Sequence, residues 1–368
     1  MAASFAIRLI FSYLFDWAVV VVFAAAGGVL NYISGYHRPF SLTDAAIAYP
    51  NKPDIVSIPV VVVVALLAPA CIIAVLNFGG LAFNRNHDRT RKDAWRRVVW
   101  EAHVGWLGLC TALAATLFVT AGLKDMVGKP RPNLLARCAP DLSNISQYIV
   151  GGFGNSLNSE AESLVSSAIC QQSDKRLLDD SFAAFPSGHS SFSSAGMVYL
   201  SLWLYARLSL GIPYLELTSK RTPRETSSWN ALASAKDKQA APPLWLTGAT
   251  LAPIIAALFI CSSRYADFHH AGFDIIGGAI IGTVIGWASF RLYHLPARQG
   301  YGPLAWRPRE KLKDFGVVEN DRPRDEENGV NSDFELRYLG TEAPDRVYTG
   351  GSGEPILAPR SIQPSKTN

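Results

Sequence analysis

The chain has 368 residues, of which 49% are hydrophobic, and 34 basic against 30 acidic side chains give a formal net charge of +4. So small a charge, without a basic stretch interleaved with aromatic residues, argues against a nucleic-acid-binding protein. The apolar residues form runs close to the about 20 residues that a helix needs to cross a bilayer, which argues against a water-soluble domain.

Six apolar runs predict an all-α, polytopic membrane protein with six transmembrane helices. The first run is predicted to be a retained span rather than a signal peptide, because it is long for a signal sequence and Asp16 lies at its start. Pro69 is expected to kink the second span. The predicted spans cover residues 15–33, 56–76, 99–123, 187–210, 244–261 and 273–293.

The loops between the spans predict the orientation of the chain in the membrane. Residues 85–97 and 220–238 are rich in lysine and arginine, and these two stretches lie two spans apart, hence on one side. The positive-inside rule makes that side the cytosol. Both termini then face the cytosol, and the loops after spans one, three and five face the outside or an organelle lumen.

The long polar loop after span three carries two features that agree with this orientation. Asn144 begins a glycosylation sequon, and Cys138 and Cys170 could form a disulfide on an oxidising side; the sequence leaves open whether either modification is present. After the last span, residues 295–368 are polar and rich in Pro and Gly, which predicts a largely disordered cytosolic tail. Residues 1–294 are therefore expected to form the membrane domain.

Three polar stretches are predicted at the same membrane face: residues 124–132, 185–190 and 263–274. Lys124, Arg131 and Arg264 could surround a phosphoryl group with cationic donors. Ser187 and Gly188 lie where a helix is expected to begin, and the free backbone amides of a helix N-terminus favour an anion. The missing Cβ of Gly188 lets the backbone approach that anion closely.

Two histidines in these stretches could carry out acid and base chemistry on a phosphoryl group. His270 could attack phosphorus and form a phosphohistidine, held in the reactive tautomer by Asp274, one helical turn further on. His189 could protonate the leaving oxygen and then activate water. No carboxylate cluster suited to magnesium accompanies these residues in the sequence, so we expect no metal.

Each of these residues also has a simpler interpretation. Lys124 and Arg131 could be snorkelling charges at the membrane interface. Ser187 could be only a helix cap, and His189 only an interfacial polar residue. The sequence gives His269 no role beyond that of a neighbour of His270.

The three stretches together resemble the signature of the type 2 phosphatidic acid phosphatase family, the lipid phosphate phosphatases related to vanadium haloperoxidases. That pattern is Lys, six residues, Arg-Pro; then Pro-Ser-Gly-His; then Ser-Arg, five residues, His, three residues, Asp. Every position matches, from Lys124 to Asp274. Residues 40–50 and 131–138 are also similar to fungal diacylglycerol pyrophosphate phosphatases, although more loosely.

The resemblance implies a haloperoxidase-like helical core and a metal-independent phosphatase without cofactor. It implies His270 as the nucleophile, His189 as the acid, and phosphate held by Lys124, Arg131, Ser187, Gly188 and Arg264. The expected substrates are phosphatidate, lysophosphatidate and diacylglycerol pyrophosphate in the bilayer. The alternatives are a lipid phosphotransferase, a polyisoprenyl pyrophosphate phosphatase and a non-enzymatic lipid transporter. The sequence does not distinguish the vacuole, endoplasmic reticulum, Golgi and plasma membrane, or the oligomeric state.

Overall fold

The computed structural model describes residues 2–83, 91–153, 163–208 and 243–294. The predicted basic loop at 220–238, part of the one at 85–97, and the predicted tail at 295–368 lie outside the described residues. The α-helices in the described part are α1 (Ala2–Leu30), α2 (Ile58–Val62), α3 (Ala68–Phe83), α4 (Arg91–Val127), α5 (Leu134–Cys138), α6 (Lys175–Ser181), α7 (Gly188–Arg207), α8 (Leu244–Ala266) and α9 (Gly272–Tyr293).

The apolar runs become long helices, as the sequence predicts for a multi-pass membrane protein. Within the described ranges, the segments long and apolar enough to cross a membrane are Ile10–Leu30, Ile58–Gly79, Trp95–Val127, Leu244–Ala266 and Gly272–Tyr293. They coincide with five of the six predicted spans. The remaining predicted span is helix α7, which is not among them because its first half is rich in serine. The count of six spans therefore stays a prediction.

Helix α7 lies at the centre of the bundle, where it packs against α4, α8 and α9. Its contact with α9 is backbone to backbone: a Cβ on Gly282 would lie 2.1 Å from the carbonyl oxygen of Ser191, and one on Gly278 would lie 2.5 Å from that of Ser187. Small residues permit this close approach between membrane helices. Because α7 is surrounded by protein, it can carry serines that a lipid-facing helix could not bury favourably.

Helices α2 and α3 are joined by a π-helical turn (Val63–Leu67) into one continuous element. This turn precedes Pro69, which has no N–H to donate and whose ring would collide with the carbonyl of Ala65 in a regular α-helix. The kink expected at Pro69 is thus accompanied by a π-helical turn just before it. The buried core beside it contains Trp203 and Tyr199, and the Tyr199 hydroxyl donates to the carbonyl of Gly105 at 2.9 Å.

The loop between α4 and α7 is folded rather than extended. It holds α5 and α6, a two-stranded antiparallel sheet of β1 (Ile149–Gly152) and β2 (Ser163–Val165), and a disulfide between Cys138 and Cys170. A small apolar cluster, which includes Phe40 from the loop after α1, fills its interior. This folded loop forms a cap at the end of the bundle where the polar stretches meet.

Candidate active site

Three chain segments meet at one end of the helix bundle: the end of α4, the start of α7 and the turn between α8 and α9. Lys124 lies in the last turn of α4, and its Nζ is 3.5 Å from the point that a Cβ on Gly188 would occupy. The backbone N–H of Ser187 donates to the carbonyl of Asp274 at 3.0 Å. The structure therefore brings together the three polar stretches singled out in the sequence.

The imidazole of His270 is buried in the turn between α8 and α9. Its Nδ1–H donates to the backbone carbonyl of Ala184 at 2.7 Å, because a carbonyl can only accept. This bond fixes the tautomer in which Nε2 carries a free lone pair. Burial, and then the positive charges of Arg131 and Lys124, hold the pKa of His270 well below its usual value. A neutral imidazole with a free Nε2 is suited to act as a nucleophile.

The guanidinium of Arg264 is only 1% exposed, at the last turn of α8. Its Nη1 donates to Asp54 at 2.8 Å and its Nη2 to Asp267 at 2.6 Å, while Nε donates to the hydroxyl of Ser263. Two carboxylates thus compensate its charge and fix the plane of the fork. Arg264 is rigidly positioned before any ligand arrives.

Arg131 reaches the site from the loop after α4. Its backbone N–H donates to the carbonyl of Ser181, and its Nη2 donates to the carboxylate of Asp180 on α6. Its Nε is buried and has no hydrogen-bond partner among the described residues. Because a buried donor without a partner is costly, this N–H is available for an anion in the site.

Ser187, Gly188 and His189 form the start of α7. The Ser187 hydroxyl makes no capping bond to its own helix and instead accepts from the Ser190 hydroxyl at 3.1 Å. The Nε2–H of His189 donates to the carbonyl of Val56 at 3.1 Å, which leaves Nδ1 as the free ring nitrogen. The start of α7, whose first-turn amides have no partner within the helix, thus lies next to Lys124 and carries a histidine whose orientation is fixed.

The sequence of the chain matches a known protein family. The sequence model of the PAP2 superfamily matches residues 105–297, more than half of the chain. The chain belongs to this superfamily. The resemblance seen in the three motifs is thereby confirmed, and all eight PAP2 signature positions that we singled out lie inside the matched stretch.

Several curated proteins are similar to this PAP2 chain over most of its length. A PA-phosphatase related-family protein of Dictyostelium discoideum is 28% identical over 281 residues, covering 76% of this chain and 69% of the relative. Lipid phosphate phosphatase 2 of Arabidopsis thaliana is 25% identical over 312 residues, covering 84% and 86%. Diacylglycerol pyrophosphate phosphatase 1 of Saccharomyces cerevisiae is 25% identical over 285 residues, covering 76% and 79%. No solved structure matches the chain.

The structure departs from the sequence-based expectation for Asp274 in this PAP2 site. We expected its carboxylate to orient His270, but Oδ1 accepts from Nζ of Lys129 at 2.7 Å and Oδ2 from the backbone N–H of Ala271 at 2.9 Å. The reason is that α9 begins at Gly272, so His270 lies outside the helix and Asp274 caps its first turn. The carbonyl of Ala184 orients His270 instead.

Several residues that contact the PAP2 site lie outside the three motifs. Asn51, Asp54 and Val56 come from the loop before α2, and Arg137 and Asp180 come from the folded loop after α4. Local spacing gives no signal for Asp54 or Asp180, because only the fold of the loops brings them to their partners. Arg137 had a weak signal, since it lies in the stretch with looser similarity to fungal enzymes.

Asp54, Asp267 and His269 offer ligand atoms within 4.8 Å of one another, a spacing that a metal ion could use. The guanidinium of Arg264 already bonds both carboxylates. The Nδ1–H of His269 donates to the carbonyl of Asp267, and its Nε2 accepts from Arg137 at 3.0 Å. Cations of the protein itself thus neutralise this group, which fits a counter-ion role better than a metal site.

Proposed function

We propose that the chain hydrolyses the phosphate from lipid phosphates, namely phosphatidate, lysophosphatidate and diacylglycerol pyrophosphate, through a phosphohistidine on His270. The family match and the relatives named lipid phosphate phosphatase and diacylglycerol pyrophosphate phosphatase support a lipid phosphatase. The observation that carries the mechanism is the buried, neutral His270, whose free Nε2 lies in the field of the Arg131 and Lys124 cations.

In the first step, Nε2 of His270 attacks phosphorus as the bond between phosphorus and the leaving oxygen breaks. His189, protonated when the phosphate dianion is bound beside it, gives its Nδ1 proton to that oxygen, which departs as the lipid alcohol, or as a lipid phosphate when the substrate is a pyrophosphate. In the second step, His189 takes a proton from water, the hydroxide attacks phosphorus, and the P–N bond breaks. Phosphate is released and His270 returns to its starting state.

The cationic side chains have a common task in both steps. Charge spreads over the equatorial oxygens of the phosphoryl group, and fixed donors aimed at those oxygens stabilise the transition state. Arg264 is preorganised by its two carboxylates, Arg131 has a free Nε–H, and the start of α7 presents backbone amides. These groups supply the positive charge that a divalent cation supplies in other phosphatases, so we propose catalysis without a metal.

The test is phosphate release by the purified protein from a panel of lipid phosphates and lipid pyrophosphates, with a chelator present. We expect activity on lipid substrates to persist with the chelator at the rate measured without it. Soluble phosphate esters such as glycerol phosphate serve as the comparison, and thin-layer chromatography shows whether water or a lipid alcohol accepts the phosphate. Activity that disappears with the chelator, or a transferred product in place of free phosphate, would contradict the proposal.

We also propose that the active site faces the lumen or the cell exterior. The Cys138–Cys170 disulfide and the exposed sequon at Asn144 both lie in the folded loop that caps the site, whereas exposed Arg96 and Arg97 lie near the opposite end of α4. We expect glycosidase treatment of membranes to increase the electrophoretic mobility of the wild type and not that of Asn144→Gln. If Asn144 carries no glycan in the wild type and a protease added from the cytosolic side cleaves the loop at residue 144, the assignment would be reversed.

A further inference from the structure

Asp180 lies between two buried guanidinium groups at the edge of the site. Its Oδ1 accepts from Nη2 of Arg131, and its Oδ2 accepts from Nη1 of Arg137 at 2.9 Å. The side chains of the two arginines are 8% and 6% exposed, whereas that of Asp180 is 45% exposed. Two fixed cations are thus bridged by one carboxylate that borders on solvent.

The guanidinium of Arg137 does not depend on Asp180 alone for its position. Nε of Arg137 donates to the side-chain oxygen of Asn51 at 3.1 Å, and its Nη2 donates to His269 at 3.0 Å. The bond to Ser181 fixes the backbone of Arg131, while its guanidinium bonds Asp180 and keeps a buried Nε–H without a partner among the described residues. If the carboxylate moved away, Arg137 would therefore remain in place, and both guanidinium groups would have donors for another anion.

Asp180 also has space to move. It lines a cavity of about 150 Å³ that extends beside Lys124 and the end of α1, and exposed Arg176 lines the same cavity. Arg176 lies four residues before Asp180 on α6, a spacing at which opposite charges can pair on a helix. A displaced carboxylate would find a new counter-ion there.

Asp180, Arg131 and Arg137 keep their charges over the whole working pH range. Burial raises the pKa of the Asp180 carboxyl, but the positive charges of Arg131, Lys124 and Arg137 outweigh it and lower that pKa to about 2. The carboxylate therefore stays ionised, and protonation does not remove it from the arginines. Two guanidinium groups and one carboxylate carry a net charge of +1, whereas a phosphate dianion in place of the carboxylate would bring the net charge to zero.

We propose that Arg131 and Arg137 form one anion seat, which Asp180 occupies in the unliganded protein and from which a phosphate group displaces it. Arg137 then becomes a further phosphate-binding residue, and Asp180 an internal competitor that sets the affinity for phosphate. This proposal rests on the phosphate-binding role of Arg131 proposed above. The phosphate can belong to the lipid substrate or be the free product, since both present the same oxygens.

The test compares Asp180→Asn with Asp179→Asn, a matched control on the same helix whose carboxylate bonds Ser34 and His37 instead of an arginine. Asparagine keeps the shape of Asp180 and removes the competing charge. We expect Asp180→Asn to lower Ki for inorganic phosphate and KM for the lipid about fivefold, with a smaller change in kcat. The control should keep both constants.

The possible outcomes and two further variants make the test decisive. If Asp180 only positions Arg131, Asp180→Asn will raise Ki and KM, and unchanged constants would equally overturn the proposal. Adding Arg137→Gln to Asp180→Asn should reverse the gain; if it does not, Arg137 is outside the seat. Should Asp180→Asn fail to fold, Asp180→Ser, which leaves room for water at the guanidinium groups, carries the same expectation.

The measurements also distinguish lipid phosphate from free phosphate as the ligand, and a failure of this proposal from a failure of the proposed hydrolysis. A lower Ki for inorganic phosphate without a lower KM for the lipid would limit the seat to the product. Binding of inorganic phosphate is also measured directly, as stabilisation against heat in detergent, for variants in a His270→Ala background. Failure of the proposed hydrolysis would leave that binding difference intact, whereas failure of the seat would abolish it.

Discussion

His270→Ala is expected to lower phosphate release from lipid phosphates by about a thousandfold or more, because the P–N bond then has no nitrogen to form it. The variant should reach the membrane in normal amounts, since the side chain contributes one hydrogen bond to a loop carbonyl. His103→Ala is the matched control: His103 lies on α4 about 30 Å along the axis from Lys124. Full activity of His270→Ala would require a different nucleophile.

The pH dependence of the wild type gives a second check on His270. Burial, Arg131 and Lys124 lower the pKa of His270 well below its usual value, so the neutral nucleophile persists as the pH falls through 6.5. We expect the acid limb of kcat/KM, which reports the free enzyme, to lie clearly below pH 6.5. An acid limb at or above pH 6.5 that does not follow the ionisation of the substrate phosphate would contradict the assignment.

Arg264→Lys is expected to lower kcat/KM by about a hundredfold or more, although the positive charge is kept. Lysine can neutralise Asp54 and Asp267 in part, but it lacks the planar fork that bonds both carboxylates at once. The cation would no longer be fixed where charge develops on the phosphoryl oxygens. Most of the loss should fall on kcat, because the transition state carries that charge.

The control for Arg264→Lys is Arg38→Lys, an exposed arginine in the loop after α1. The thermal stability of both variants in detergent separates a lost catalytic contact from a damaged fold. In Arg264→Lys, Asp54 and Asp267 still have a positive charge beside them, so the fold should survive better than in Arg264→Ala, which leaves them without a counter-ion. Wild-type kcat/KM in a folded Arg264→Lys protein would exclude Arg264 from the transition state.

The sequence predicted the lipid-facing helices well because their apolar runs must match the thickness of a bilayer. It also predicted which end of the bundle holds the polar motifs, because successive spans alternate in direction. Helix α7 was predicted as a helix, but its serines conceal its central place, since a helix enclosed by protein is not required to be apolar. Hydropathy identifies helices that contact lipid, and α7 has little contact with lipid because other helices enclose it.

The parts of the site that the sequence did not predict are contacts between loops. Asp180 meets Arg131 and Arg137 only because α6 packs against α5, which carries Arg137, and no short spacing encodes that approach. The expected pairing of Asp274 with His270 placed the two residues one helical turn apart, whereas α9 begins at Gly272, after His270. Motif spacing thus identified which residues gather, while the hydrogen bonds among them depended on where each helix begins.

The loop between α1 and α2 determines how much of the chain the catalytic unit must include. Asp54 holds Arg264, Asn51 holds Arg137, and the carbonyl of Val56 holds His189, yet all three precede the family-matched stretch at 105–297. A fragment cut at the borders of that match would keep every signature residue and lose their supports. The minimal catalytic unit is therefore larger than the motif-bearing region, because it includes the loop that joins α1 to α2.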